Sequence, residues 1–201
     1  MNNRAQNQER DNGEKLEAVT GAGKWRRLSG WPKILQNFLL ASITLLSAAW
    51  SLEIQHFTGI AIFKEQFLAL IFGLAMAAVF IGLKPVRSIS HDRIPFYDWI
   101  LVLISLVCGL FVFFAHRGIF ETIGELTPAR VILGFLSIII VFEATRRATG
   151  WTLVIMGAVF IGYSALSHLA PGILNVPSTE PARIATYLYL DNNALFGIPL
   201  D

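Results

Sequence analysis

Long runs of apolar residues set the strongest limit on what this chain can fold into. The run from Trp99 to Ala115, WILVLISLVCGLFVFFA, carries no charge and contains twelve Leu, Ile, Val or Phe residues. A helix that crosses a bilayer needs roughly 17–25 such residues, whereas a soluble helix keeps a polar face. The run therefore predicts a membrane-spanning helix.

Four further apolar segments accompany this run, at residues 34–52, 67–83, 131–142 and 151–169. The segment at 131–142 has an apolar core of about 18 Å of helix, which is short for a span. Thr127 and Pro128 supply an N-cap and a first-turn proline, so a helix from Pro128 to about Arg147 would be long enough. The sequence predicts an all-α, multi-pass membrane protein with about five transmembrane helices.

The composition argues against a soluble domain and against nucleic acid as a partner. Hydrophobic residues make up 54% of the 201 residues and charged residues 15%, against roughly 25% charged in ordinary globular chains. The net charge is only +2, and Cys108 is the single cysteine. No nucleophile–base pair, phosphate-binding glycine loop or metal-ligand cluster is visible in the sequence. We therefore expect no enzymatic activity, no catalytic, cofactor-binding or metal site, and a lipid bilayer as the first partner.

The distribution of basic residues predicts the orientation. Residues 1–30 are polar and predicted to form a disordered tail. With five spans, twelve of the sixteen Lys and Arg residues fall on the side of this tail. The positive-inside rule then places the N-terminus in the cytoplasm. Four of the five tryptophans lie at span ends, as an interfacial aromatic belt requires.

Charged residues within or beside the spans are the candidate sites. Asp98 begins the third span, where a carboxylate complements the helix dipole. Glu143 has i+3 and i+4 spacing to Arg146 and Arg147, which predicts a salt bridge on one helix face. The alternative is a charged elbow that docks against another subunit or lines a path. These four residues are structural or interface candidates.

Regularly spaced small residues and one amphipathic stretch predict how the helices pack. Ala69, Gly73 and Ala77 recur every four residues in the second span, and Ala158 and Gly162 do so in the fifth, so both spans offer a face for close helix approach. Near the C-terminus, Ser178 to Pro181 indicates a helix start. The apolar residues that follow indicate an amphipathic helix on the membrane surface; they are Ile184, Tyr187, Leu188 and Leu190.

Three stretches together resemble a known family. They are IPFYDWILVLISLVCGLF (94–111), FEATRRATGWTLVIMGAVFIGYSALSHLAPG (142–172) and YLYLDNNALFGIPL (187–200). They resemble the fused permeases of tripartite ATP-independent periplasmic (TRAP) transporters, of the type paired with TAXI-type binding proteins. The resemblance implies a bacterial inner-membrane protein that imports organic acids with a sodium gradient and a periplasmic solute-binding protein.

The same resemblance implies an arrangement in two parts. Residues 31–116 would correspond to the small membrane unit, and residues 117–201 to the beginning of the large transport unit. The chain would then be an amino-terminal portion, inactive without the remainder of the large unit, whether a frameshift, a gene split or a cloning boundary ended it. No substrate or sodium ligand carries over to any residue here. The alternative is a small multi-pass scaffold or accessory protein without a transport role.

Overall fold

The computed structural model describes residues 25–26, 28–53, 62–85, 94–122, 125–169 and 179–190. The predicted tail up to residue 24, the polar Asp191–Asn193 and the apolar residues after them lie outside these ranges. Six α-helices and one short 3₁₀ turn form the described part. In order they are α1 (Trp31–Ser51), α2 (Lys64–Gly82), α3 (Phe96–Glu121), α4 (Pro128–Ala148), α5 (Trp151–Leu166), the turn Ser167–Leu169 and α6 (Pro181–Leu190).

The helices have the lengths that a membrane protein requires. Four of them, α1 to α4, are long and apolar enough to cross a bilayer. Helix α5 is apolar but has 16 residues, or about 24 Å, before its 3₁₀ turn. The all-α, multi-pass character predicted from the sequence is confirmed, and about five spans is compatible with these helices. The segment with the short apolar core becomes a full 21-residue helix.

Prolines mark several helix beginnings. Pro128 and Pro181 are the first residues of α4 and α6, as predicted, and Pro95 immediately precedes α3. A proline costs nothing in the first turn, because the N–H it lacks has no partner within the helix there. Thr127 occupies the N-cap of α4, but its side chain makes no capping hydrogen bond.

Helices α2 and α3 form the centre of the bundle. They approach so closely that a Cβ added at Gly109 would lie 2.6 Å from the carbonyl oxygen of Ala69 and 2.9 Å from the Cα of Gly73. The small-residue face predicted for the second span is confirmed, since Ala69 and Ala77 are fully buried. Large side chains such as Phe72 fill the space beside this crossing.

The same pattern in α5 has a different outcome. Ala158 is exposed, and a Cβ added at Gly162 would meet no atom within 4 Å in the described part of the chain. Gly157 instead lies against the ring of Phe142 on α4. The predicted contact face of the fifth span is therefore not the face that packs against the described helices.

Helix α6 packs against protein along one side. A Cβ added at Gly134 of α4 would lie 2.7 Å from the carbonyl oxygen of Ala185. Tyr189 is fully buried, and its hydroxyl donates a 2.6 Å hydrogen bond to the carbonyl oxygen of Cys108 in α3. Ile184, predicted to face the membrane surface, is buried, whereas Tyr187 is exposed. Part of the face predicted to lie on the membrane surface therefore packs against other helices of the same chain.

Candidate functional site

Asp98 is the centre of a buried network of charges at one end of the bundle. It lies in the first turn of α3, where its backbone N–H donates to the carbonyl oxygen of Pro95 at 3.1 Å. Its side chain is fully buried. Asp98 lies in the first turn, where its charge complements the helix dipole, as predicted. A carboxylate removed from water, however, needs stronger compensation than the dipole gives.

Two arginines from distant segments supply that compensation. Arg147, in the last turn of α4, donates from Nη2 to Oδ1 of Asp98 at 2.7 Å. Arg26, ahead of α1, donates from Nη2 to Oδ2. Neither guanidinium is more than 1% exposed. One carboxylate therefore joins the segment before α1, the start of α3 and the end of α4.

Glu143 extends the network along α4. Arg146 donates from Nε and Nη2 to the two carboxylate oxygens of Glu143, at 2.7 and 2.8 Å. Arg147 donates from Nε to Oε1 of Glu143 at 2.7 Å. The predicted salt bridge on one helix face is confirmed. Because Arg147 also binds Asp98, the charged elbow docks against another helix of the same chain.

Aromatic rings enclose the arginines. The Arg147 guanidinium lies 5.1 Å from the ring centroid of Phe80 on α2 and 5.9 Å from that of Tyr97 on α3. Arg146 lies 5.6 Å from the ring of Trp151, at the beginning of α5. Such contacts stabilise a cation by about 0.5–2 kcal/mol, with the larger values where water is excluded. The rings thus replace part of the solvation that the Arg147 guanidinium loses on burial.

Arg26 also caps the C-terminal end of α2. Its backbone N–H donates to the carbonyl oxygen of Gly82 at 2.8 Å, and its Nη1 donates to the carbonyls of Phe80 and Ile81 at 3.4 Å each. The last carbonyls of a helix have no partner within it, so these bonds satisfy groups that would otherwise be orphaned. Trp25 forms a bridge with Leu83 beside them. This part of the predicted tail therefore belongs to the folded unit.

The network carries more positive than negative charge. Its members are Arg26, Arg146 and Arg147 with Asp98 and Glu143, which leaves one net positive charge. Nε of Arg26 and Nη1 of Arg147 are buried and have no hydrogen-bond partner among the described residues. The network holds several helices together. In the described ranges, no three His, Cys, Asp or Glu side chains lie close enough to hold a metal ion.

The sequence identified four of the five network residues: Asp98, Glu143, Arg146 and Arg147. It missed Arg26, which we had assigned to the tail. A signal for a further cation was present, because an aspartate at the beginning of a span needs a partner or water. The sequence could not say which of the basic residues supplies it, since Arg26 and Asp98 are 72 residues apart.

Comparison with known proteins adds no relative. The sequence matches no protein-family model, no curated protein and no solved structure. The assignment of a function therefore depends on the sequence motifs and on the geometry described above.

Proposed function

We propose that this chain is a membrane permease component of a sodium-coupled TRAP-type importer of organic acids. One observation supports it most strongly. The ion pair between Asp98 and Arg147 joins the region that the resemblance assigns to the small unit (31–116) to the region assigned to the large unit (117–201). A contact of this kind would hold the two units of a fused permease in a fixed relative position.

The proposed role of the described helices is static support. Asp98 ties α3 to α4 and to the segment before α1, and the glycine contact brings α2 and α3 together. Alternating access needs a part that stays fixed while another part moves against it. A buried charge network that fixes several segments at one end suits the fixed part.

A gene replacement in the native host tests this function. We expect deletion of the gene to abolish sodium-dependent uptake of an organic acid, and the wild-type gene with its natural neighbours to restore it. Asp98→Asn should restore less uptake than Glu180→Gln, which changes an exposed carboxylate. Unchanged uptake of every organic acid tested in the deletion strain would exclude the importer and favour an accessory scaffold.

The chain alone should show no sodium-driven transport. The resemblance assigns no substrate or sodium ligand to any residue here, so we expect no sodium-driven uptake by these 201 residues in vesicles, even with a candidate binding protein. Accumulation of an organic acid by the chain alone would contradict this proposal.

We further propose that the protein lies in the bacterial inner membrane with its N-terminus in the cytoplasm. The basis is the excess of Lys and Arg on the side of the N-terminal tail. Cysteines substituted at Arg10 and Ser178 test the orientation with an impermeant reagent in intact cells. We expect labelling at position 178 only. Labelling at position 10 but not at 178 would reverse the topology.

A further inference from the structure

The contacts of α6 lie deep within the helix bundle. Its Tyr189 hydroxyl binds the carbonyl oxygen of Cys108, which is at the middle of α3. Along α3, Cys108 is about 12 Å of helix away from His116, whose side chain lies near Glu65 at the far end of the bundle. Half of a hydrocarbon layer is about 15 Å thick. A helix resting on the membrane surface could not reach this carbonyl with one tyrosine side chain.

A second contact agrees with this depth. Gly134, against which the Ala185 backbone packs, is about 9 Å of helix inside the first residue of α4. Only a glycine permits this approach, because an added Cβ would lie 2.7 Å from the Ala185 oxygen. Two independent contacts, one to α3 and one to α4, therefore hold α6 below the end of the bundle.

The polarity of α6 changes along its axis. Glu180 and Arg183, at its beginning, form an exposed pair at 3.7 Å, with side chains 72% and 60% exposed. Residues 184–190 carry no charge, and the exposed side chain among them is Tyr187. A surface helix is polar along one side, whereas a helix that enters a bilayer is polar at one end.

We propose that α6 is an inserted half-span. It enters the bilayer from the end of the bundle opposite the charge network and extends to mid-depth, and the Gly134–Ala185 and Tyr189–Cys108 contacts set its depth. Its ten residues are about 15 Å long, which matches half of the hydrocarbon layer. This inference goes beyond the proposed function and does not depend on it.

Spin labels on the protein in lipid nanodiscs test the depth. Labels replace Tyr187 and Arg183, and labels at Leu45 and Lys33 of α1 serve as the mid-bilayer and interfacial references. The unsubstituted protein, with its fully buried Cys108, controls for background labelling. We expect position 187 to resemble 45, with high oxygen and low nickel-chelate accessibility, and position 183 to resemble 33. Nickel accessibility at 187 equal to that at 183 would show a surface helix and overturn the proposal.

Two further variants test what sets the depth, with the label at position 187. Gly134→Ala should push α6 outward and raise nickel accessibility severalfold, whereas Gly162→Ala adds the same methyl group where nothing lies within 4 Å. Tyr189→Phe, which keeps the ring and removes only the hydroxyl, should give a smaller shift in the same direction. If Gly134→Ala moves the label no further than Gly162→Ala does, the proposed depth contact is wrong.

Discussion

The two ends of the helix bundle accommodate their charged side chains differently. At the end that holds Asp98, which we call the charged end, buried charges from three separate segments pair with one another. At the opposite end, Arg130 of α4 donates to the carbonyl oxygens of Thr122, Glu125 and Gly118, which belong to the end of α3 and the loop after it. Ion pairs join the separate segments at the charged end, whereas Arg130 caps the end of the neighbouring helix α3 at the opposite end.

The difference shows how each end depends on the rest of the fold. Arg130 and its partners are 5 to 12 residues apart, so this contact forms whenever α3 and α4 pair through their short loop. Asp98 pairs not only with Arg147 of α4 but also with Arg26, which precedes α1 and is 72 residues away, so the network needs more of the bundle than α3 and α4 to be assembled. The charged end should therefore be the more sensitive to substitution.

The largest effect is expected for Asp98→Asn. The amide has nearly the same shape but no charge, so it leaves the buried Arg26 without its counter-ion and Arg147 with Glu143 alone. Breaking a buried ion pair from one side costs roughly 3–5 kcal/mol. Unfolding in detergent measures the loss, with the exposed Glu180→Gln as the control. An unfolding midpoint equal to that of the wild-type protein would refute the buried network.

The next largest loss of stability is expected for Arg147→Gln, and its neighbour Arg146 on α4 provides the comparison. Arg147 pairs with both Asp98 and Glu143 and has a fully buried side chain, whereas Arg146 pairs with Glu143 and is 23% exposed. We expect Arg147→Gln to cost roughly 3–5 kcal/mol, and Arg146→Gln at most about 1 kcal/mol. The same unfolding assay compares them directly. Equal losses for the two variants would show that burial does not distinguish these positions.

A smaller effect is expected for Arg130→Gln at the opposite end. The substitution removes charge-assisted hydrogen bonds to carbonyls, which are worth about 1.5–3 kcal/mol, but leaves no counter-ion stranded. Because the two ends are well separated, its cost should add to that of Asp98→Asn in the double variant. A loss in the double variant clearly different from the sum would mean that the two ends are coupled.

The smallest effect is expected for Glu65→Gln. Its carboxylate lies 3.9 Å from Nε2 of His116, and it remains 24% exposed. Pairs that keep contact with solvent contribute about 0–1 kcal/mol. Unfolding of this variant beside Arg130→Gln ranks the two contacts at the same end. A loss for Glu65→Gln that exceeds the loss for Arg130→Gln would reverse the expected order.

Much of the secondary structure could be predicted because its causes are local. The apolar run at 99–115 lies within α3, and the proline rule placed the first residues of α4 and α6 correctly. The pairing of Glu143 with Arg146 and Arg147 was equally predictable, since helix geometry alone brings residues three and four apart together.

Other features could not be predicted because similar patterns have different outcomes. Small residues every four positions form the central contact in α2, yet the corresponding face of α5 carries the exposed Ala158. An apolar face on α6 suggested the membrane surface, but Tyr189 reaches the middle of α3. A residue pattern shows that a face can be buried. It does not show which neighbour buries it.

The sequence by itself determined that this chain forms apolar helices suited to a membrane, because a helix in lipid satisfies its backbone hydrogen bonds within itself. Only the tertiary structure decided which charges meet. Asp98 could have bound any nearby cation, and the folded bundle selected Arg26 and Arg147, which lie 72 and 49 residues away in the chain. The physical reason is distance: hydropathy acts residue by residue along a helix, whereas an ion pair forms only where folding brings two side chains within about 4 Å.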